Sequence, residues 1–287
     1  MYQISKGNDG NYQIYELTDS VANACLKVAP ERGGIITGFT VHGEEILFLN
    51  KETFQDEAVN VRGGIPILFP ISGQLEQGKY EWEGIPYKMR NHGFARNNPW
   101  EVIETNTDGH AAITIRLNSN LETKESYPFD FEVIFTYILK GNMLTIDQAY
   151  TNKSVDDMPI YAGFHPYFKS TKKNISYDTD AITYLDNDEL QVKKVIDGLD
   201  LSNKKEAFVL LDAKKKEIAF ELPDLNKKVR MTYGDEFKYV YLWTEQDQDF
   251  ICVEPWMAMT NEFNRKKELY LVAPGETVKT TVTISVD

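Results

Sequence analysis

The stretch Val278-Lys279-Thr280-Thr281-Val282-Thr283-Ile284-Ser285-Val286 sets Val278, Val282, Ile284 and Val286 against Lys279, Thr281, Thr283 and Ser285. Apolar residues two apart line one side of a pleated strand and would scatter around a helix, so this stretch predicts a strand with one side buried and one side wet. The same alternation recurs upstream. Ala22, Ala24, Leu26 and Val28 stand against Asn23, Cys25 and Lys27, and Ile113, Ile115 and Leu117 stand against Thr114 and Arg116. Between such runs lie the turn-forming clusters His42-Gly43-Glu44, Thr107-Asp108-Gly109, Lys140-Gly141-Asn142 and Ala273-Pro274-Gly275, which predict antiparallel hairpins. Few segments keep i, i+3, i+4 spacing over ten residues, and strands do not alternate with helices as a parallel sheet requires. The expected fold is all-β, a large antiparallel β-sandwich. No linker-like stretch or internal repeat divides the chain, so one domain spanning residues 1–287 is expected.

Composition narrows the partners. A chain of 287 residues with 42% hydrophobic content can bury a large core. Its 16 Tyr and 15 Phe suit strands, and they equally suit a site that stacks sugar rings. A formal net charge of −13 repels nucleic acid and anionic membrane surfaces, so neither is expected as a partner. An anionic substrate would need a local gathering of arginines, because a guanidinium can grip phosphate inside an acidic protein. Cys25 and Cys252 each lie in an apolar stretch and read as buried free thiols. The start, MYQISKGNDG, lacks the basic end and apolar run of a signal peptide, and no stretch is long and apolar enough to span a bilayer. The expected location is the cytoplasm, as a monomer or homodimer. The lysine patches at Lys193-Lys194, Lys204-Lys205 and Lys214-Lys215-Lys216 read as solvated strand ends and loops.

Four segments depart from plain strand grammar: RGGIPILFP (Arg62–Pro70), NHGFAR (Asn91–Arg96), GFHPYF (Gly163–Phe168) and CVEPW (Cys252–Trp256). Each sets polar or ionisable residues among Gly, Pro and aromatics, the mixture that permits close backbone approach, fixes loops and walls a ligand with flat apolar faces. His92 and His165 fall in these segments, whereas His42 and His110 sit in turns. A histidine beside glycine or proline serves structure more often than catalysis. Glu254 follows the apolar run Phe250-Ile251-Cys252, so it should be partly buried, and burial moves a carboxyl toward the range useful for a general base.

The ordered set RGGIP, HGFAR, GFHPYF, YLD, LW and CVEPW resembles the aldose 1-epimerase superfamily, from about Arg62 to Trp256. RGGIP and HGFAR look most like the glucose-6-phosphate 1-epimerase-related branch. GFHPYF and the LWT…CVEPW stretch look more like bacterial epimerase-related proteins found near sugar-utilisation functions. The resemblance implies a galactose mutarotase-like supersandwich and an isomerase of carbohydrate and hexose metabolism that converts α and β anomers without cofactor or metal. It implies His165 as the acid that protonates the ring oxygen and Glu254 as the base that takes the anomeric hydroxyl proton. By the same resemblance His92 is a second donor near the ring oxygen, Asp186 binds sugar hydroxyls, and Arg62 and Arg96 clamp phosphate where the sugar carries one. Thr244-Glu245 stands where the phosphate branch commonly has Asn-Pro, which points away from a phosphorylated substrate.

Three other readings stay open on the residues alone. A glycosidase could use Asp186 and Glu254 as its carboxyl pair. A metal could sit between His92, His165 and Glu254, although no H-x-H or H-E-x-x-H spacing supports it. A sugar-binding module could keep the fold without the chemistry. No G-x-S-x-G elbow, P-loop or dinucleotide fingerprint is present.

Overall fold

The alternating stretch at the C-terminus forms the strand Thr277–Val286, in the middle of an eight-stranded sheet. The computed structural model describes residues 1–287, apart from the side chain of Asp197. In spatial order this sheet runs Tyr177–Asp178, Glu217–Leu222, Lys227–Tyr233, Thr277–Val286, Met143–Asn152, Phe131–Lys140, Ala111–Asn118 and Glu101–Asn106. Every neighbouring pair is antiparallel. The predicted turns at Gly141-Asn142 and Asp108-Gly109 close hairpins, with Lys140 facing Met143 and Asn106 facing Ala112. Along Phe131–Lys140 the side chains alternate buried and half-buried, so Phe131, Val133, Phe135, Tyr137 and Leu139 present one continuous apolar face. Each such side chain contributes about 1.5–3 kcal/mol by leaving water.

That face packs into a cluster of contacting buried hydrophobics that takes in residues from Tyr15 to Val286. The N-terminal strands Tyr2–Asp9, Tyr12–Asp19, Ala24–Ala29, Ile35–Val41 and Glu44–Glu45 form a five-stranded antiparallel sheet that supplies Leu17, Leu26 and Phe39 to it. A further sheet follows the order Gln191–Lys194, Thr183–Asp186, Phe208–Leu210, Tyr239–Trp243, Phe250–Trp256, Gly163–Phe164 and Ile67–Leu68, and Tyr167–Lys169 also pairs with Phe250–Trp256. The α-helices among the described residues are short: Lys51–Gln55, Leu121–Ser126 and Glu262–Arg265. No helix among them is long and apolar enough to cross a membrane. The all-β, antiparallel expectation therefore holds.

Some local expectations do not. Ala22 lies in a turn, and its strand begins at Ala24. Ala273-Pro274-Gly275 turns the chain without closing a hairpin: Tyr270–Val272 pairs with Met158–Ile160, whereas Thr277–Val286 joins the eight-stranded sheet. Cys25 is only half-buried, and both cysteines are free.

One strand explains where a site can form. Phe250–Trp256 is buried at all seven positions, which breaks the usual in-out alternation. Ile251 and Val253 face the main core, while Phe250 and Cys252 pack with Phe48, Tyr167 and Trp243, and Trp256 packs with Leu68, Val209 and Tyr241. Covering both faces puts Glu254 where no plain half-wet strand would put a carboxylate.

Candidate active site

Glu254 and His165 are brought together by strand register. Gly163 pairs with Trp256 and Tyr167 with Cys252, so the intervening count sets His165 opposite Glu254. Pro166 breaks the short strand there, and the His165 amide donates instead to the Pro66 carbonyl at 3.2 Å. The imidazole Nε2 lies 3.4 Å from Glu254 Oε1, with both side chains buried. His165 stacks on Tyr167 at 4.7 Å between ring centroids and meets Trp243 edge-on at 5.6 Å. His165 Nδ1, Glu254 Oε2 and the Trp256 indole nitrogen are buried without a hydrogen-bond partner. Unmet buried polar atoms on His165 and Glu254 are groups to which a ligand can supply the missing bonds.

Burial pushes the Glu254 carboxyl well above the ordinary carboxylate range, only partly opposed by the nearby Trp256 indole and the Arg96 charge. Burial also drives the His165 imidazole well below its usual value, and His92, Arg96 and Arg62 add to the effect. Each group is pressed toward its neutral form. A pair that trades one proton over a short distance has the inventory for general acid–base work.

His92 lies in the turn between the strand Ile85–Lys88 and the 3-10 turn Ala95–Asn97. Its backbone lies in the left-handed region, as does that of Gly93, where a Cβ would stand 2.2 Å from the Phe69 carbonyl oxygen. Glycine there lets the loop press against that backbone. The ring of His92 sits 5.4 Å from that of His165 and 5.7 Å from that of Trp256. Its Nδ1 is 3.2 Å from the Ser72 carbonyl oxygen, which can only accept, so Nδ1 carries the proton. Burial, with Arg96 and Arg62 beside it, holds this histidine well below its usual value and hence neutral. A neutral ring protonated at Nδ1 offers Nε2 as an acceptor.

Arg96 follows in the short 3-10 turn Ala95–Asn97 and donates to the Asn91 carbonyl at 3.1 Å, while its buried Nε has no partner. Burial lowers the guanidinium to about 10, with Arg62 also working against its charge and Tyr167 and Glu254 working for it. Arg62 is more exposed. It lies 3.2 Å from Glu245 and 5.4 Å from the Trp243 ring. Burial opposes its charge, but the Tyr167 hydroxyl and Glu245 hold it above its ordinary value.

Asp186 does not join this cluster. It pairs in register with Phe208, then Leu242, then Val253, whereas Leu185, Val209, Tyr241 and Glu254 share the other face. Three strand spacings, roughly 14 Å, also separate it from the Glu254 strand. Its carboxylate is taken by Lys193 at 2.8 Å and Lys204 at 2.7 Å and by the amides of Asp188 and Glu189. The expectation that Asp186 binds sugar hydroxyls is corrected, and with it the reading of Lys193 and Lys204 as merely solvated.

Sequence reading did not place Tyr167, Trp243, Tyr241 and Cys252 in the site; Glu245 was marked only by its departure from the phosphate branch, without its contact to Arg62. Tyr167 and Cys252 were legible as the second neighbours of His165 and Glu254 on extended segments. Trp243 and Tyr241 arrive only through pairing of Tyr239–Trp243 with Phe250–Trp256. His165, Cys252 and Glu254 offer donor atoms within 4.8 Å of one another, dimensions open to a thiophilic cation. Binding one would require stripping the thiol and carboxyl of protons that burial holds on them, in the field of Arg62 and Arg96.

The sequence profile of the family described as aldose 1-epimerase matches residues 13–285. The solved structure of Slr1438 from Synechocystis sp. PCC 6803 superimposes with a TM-score of 0.93 at 36% identity, covering 100% of this chain and 99% of that one. The chromosomal LacX protein of Lactococcus lactis subsp. lactis is 25% identical over 259 residues, 78% of this chain and 85% of its own. A protein of Escherichia coli (strain K12) provisionally named a glucose-6-phosphate 1-epimerase is 32% identical over 126 residues, 44% of this chain and 38% of its own. The fold is shared with galactose mutarotase-like proteins.

Proposed function

The chain belongs to the aldose 1-epimerase family, and on that premise we propose that it is an isomerase converting the α and β anomers of an aldose between His165 and Glu254. The observation that carries this reading is the buried pair itself, 3.4 Å apart. The proton moves from Glu254 to His165 across the 3.4 Å contact, and the carboxylate so formed takes the proton of the anomeric hydroxyl as His165 delivers the one it received to the ring oxygen. The C1–O5 bond breaks, and the electron pair on the anomeric oxygen closes into the carbonyl of the open aldehyde. Rotation about C1–C2 turns the other carbonyl face to the O5 hydroxyl, and reclosure returns both protons with the groups in reversed roles. Proton transfer alone completes the cycle, so the chemistry calls for neither a redox cofactor nor a metal. Arg96, with a free buried donor, stabilises negative charge developing on oxygen, and neutral His92 accepts from a sugar hydroxyl. Tyr167, Trp243 and Trp256 supply flat walls for the ring.

The glycosidase reading loses its support because Asp186 lies on the opposite face from Glu254. A phosphorylated substrate keeps one observation in its favour: Arg62 and Arg96 both act on the His165 site. Exchange NMR on a panel of neutral aldoses and their 6-phosphates tests the proposal. Acceleration of anomer exchange for at least one sugar is expected. Sugar binding without acceleration would leave a non-catalytic binding protein in its place.

A further inference from the structure

The two guanidiniums of the site are held in different ways. Arg96 is half-buried and bonds to one backbone carbonyl, with its buried Nε unpartnered. Arg62 is already engaged: Glu245 Oε1 stands 3.2 Å away, and the guanidinium lies over Trp243. Glu245 is placed by its neighbour. Thr244 is buried, and its hydroxyl donates to the Phe250 carbonyl at 2.6 Å, which fixes the chain as it leaves the strand Tyr239–Trp243. Glu245 also acts on the Cys252 thiol, two residues from Glu254 and on the same side of its strand.

We propose that Glu245 is the residue that selects the charge of the substrate, by occupying Arg62 and setting a carboxylate beside it so that neutral aldoses are favoured over aldose phosphates. This rests on the aldose 1-epimerase reading above. Two guanidiniums and one carboxylate leave a single uncompensated positive charge, suited to polarising sugar oxygens. A phosphate dianion would overfill that charge and would have to displace Glu245 from Arg62 against like-charge repulsion. With Glu245 made neutral, the dianion matches the two guanidiniums, and Arg62 is free to make charge-assisted bonds to it.

The experiment has two arms. In the first, inorganic phosphate binding is measured by calorimetry for the wild type, Glu245→Gln, Glu245→Ala, and Glu245→Gln combined with Arg62→Gln. The single variants should bind phosphate at least about ten-fold more tightly, and the double variant should lose that gain. In the second, the ratio of kcat/KM for glucose 6-phosphate to that for glucose should rise by about ten-fold or more in either single variant. Equal phosphate affinity in wild type and both single variants overturns the role of Glu245. So does a gain that survives removal of Arg62. Because the first arm needs no turnover, a protein that accelerates no sugar would sink the epimerase reading while still deciding whether Glu245 guards Arg62.

Discussion

Glu254 is pressed toward its protonated form by burial, and that gives its loss a sign. A carboxyl whose folded value is raised binds its proton more tightly in the folded state. The stability tied to that proton is fully present below the unfolded value near 4.5 and is lost as pH rises toward the folded one. Glutamine mimics the protonated carboxyl and cannot ionise. Glu254→Gln should therefore melt at or above the wild-type temperature at pH 7, with a margin that widens as pH rises. A margin that shrinks with rising pH in parallel melting curves would show that Glu254 is held ionised. Asp186 has the opposite sign. Against the cost of burial, Lys193, Lys204 and the Glu189 amide hold it down at about 2. Its contribution is present above about pH 4 and is lost as pH falls through the folded value. Asp186→Asn should cost about 2 kcal/mol at neutral pH in urea unfolding and leave the KM for sugar unchanged. A raised KM with unaltered stability would return Asp186 to the binding site.

At the scale of elements, the hairpins were legible because each is local. Gly141-Asn142 closes its turn between residues already adjacent in sequence, and the alternation on either side fixes which face goes inward. The histidine and the carboxylate were legible as candidates from their unusual Gly, Pro and aromatic company. Their partnership was not. His165 faces Glu254 because Gly163–Phe164 and Tyr167–Lys169 both pair with a strand almost ninety residues later, and no short-range pattern encodes that register. The misplacement of Asp186 has the same origin. A YLD string tells nothing about which face of the sheet its aspartate takes, and that face follows only once Thr183–Asp186 is paired with Phe208–Leu210. The protonation of His92 likewise depends on the Ser72 carbonyl, twenty residues away and brought near by the loop's left-handed backbone.

At the scale of the whole molecule, one cluster of buried hydrophobics draws on strands from both ends of the chain, and the site sits on strands embedded in it. We propose that residues 1–287 unfold as one unit, so that far-UV circular dichroism and tryptophan fluorescence should follow a single coincident denaturation curve. Two separated transitions would divide the chain into independent parts. The same embedding holds His165 and Glu254 at contact distance, so their removal should strike chemistry ahead of folding. The most direct measurement of the central claim is the rate of α–β exchange by saturation-transfer NMR on a responsive aldose, for the wild type, His165→Asn and Glu254→Gln, each shown to be folded. Either substitution should lower the catalysed rate by about a hundred-fold or more, as expected for loss of a general acid or base. Wild-type exchange from either folded variant would contradict the account.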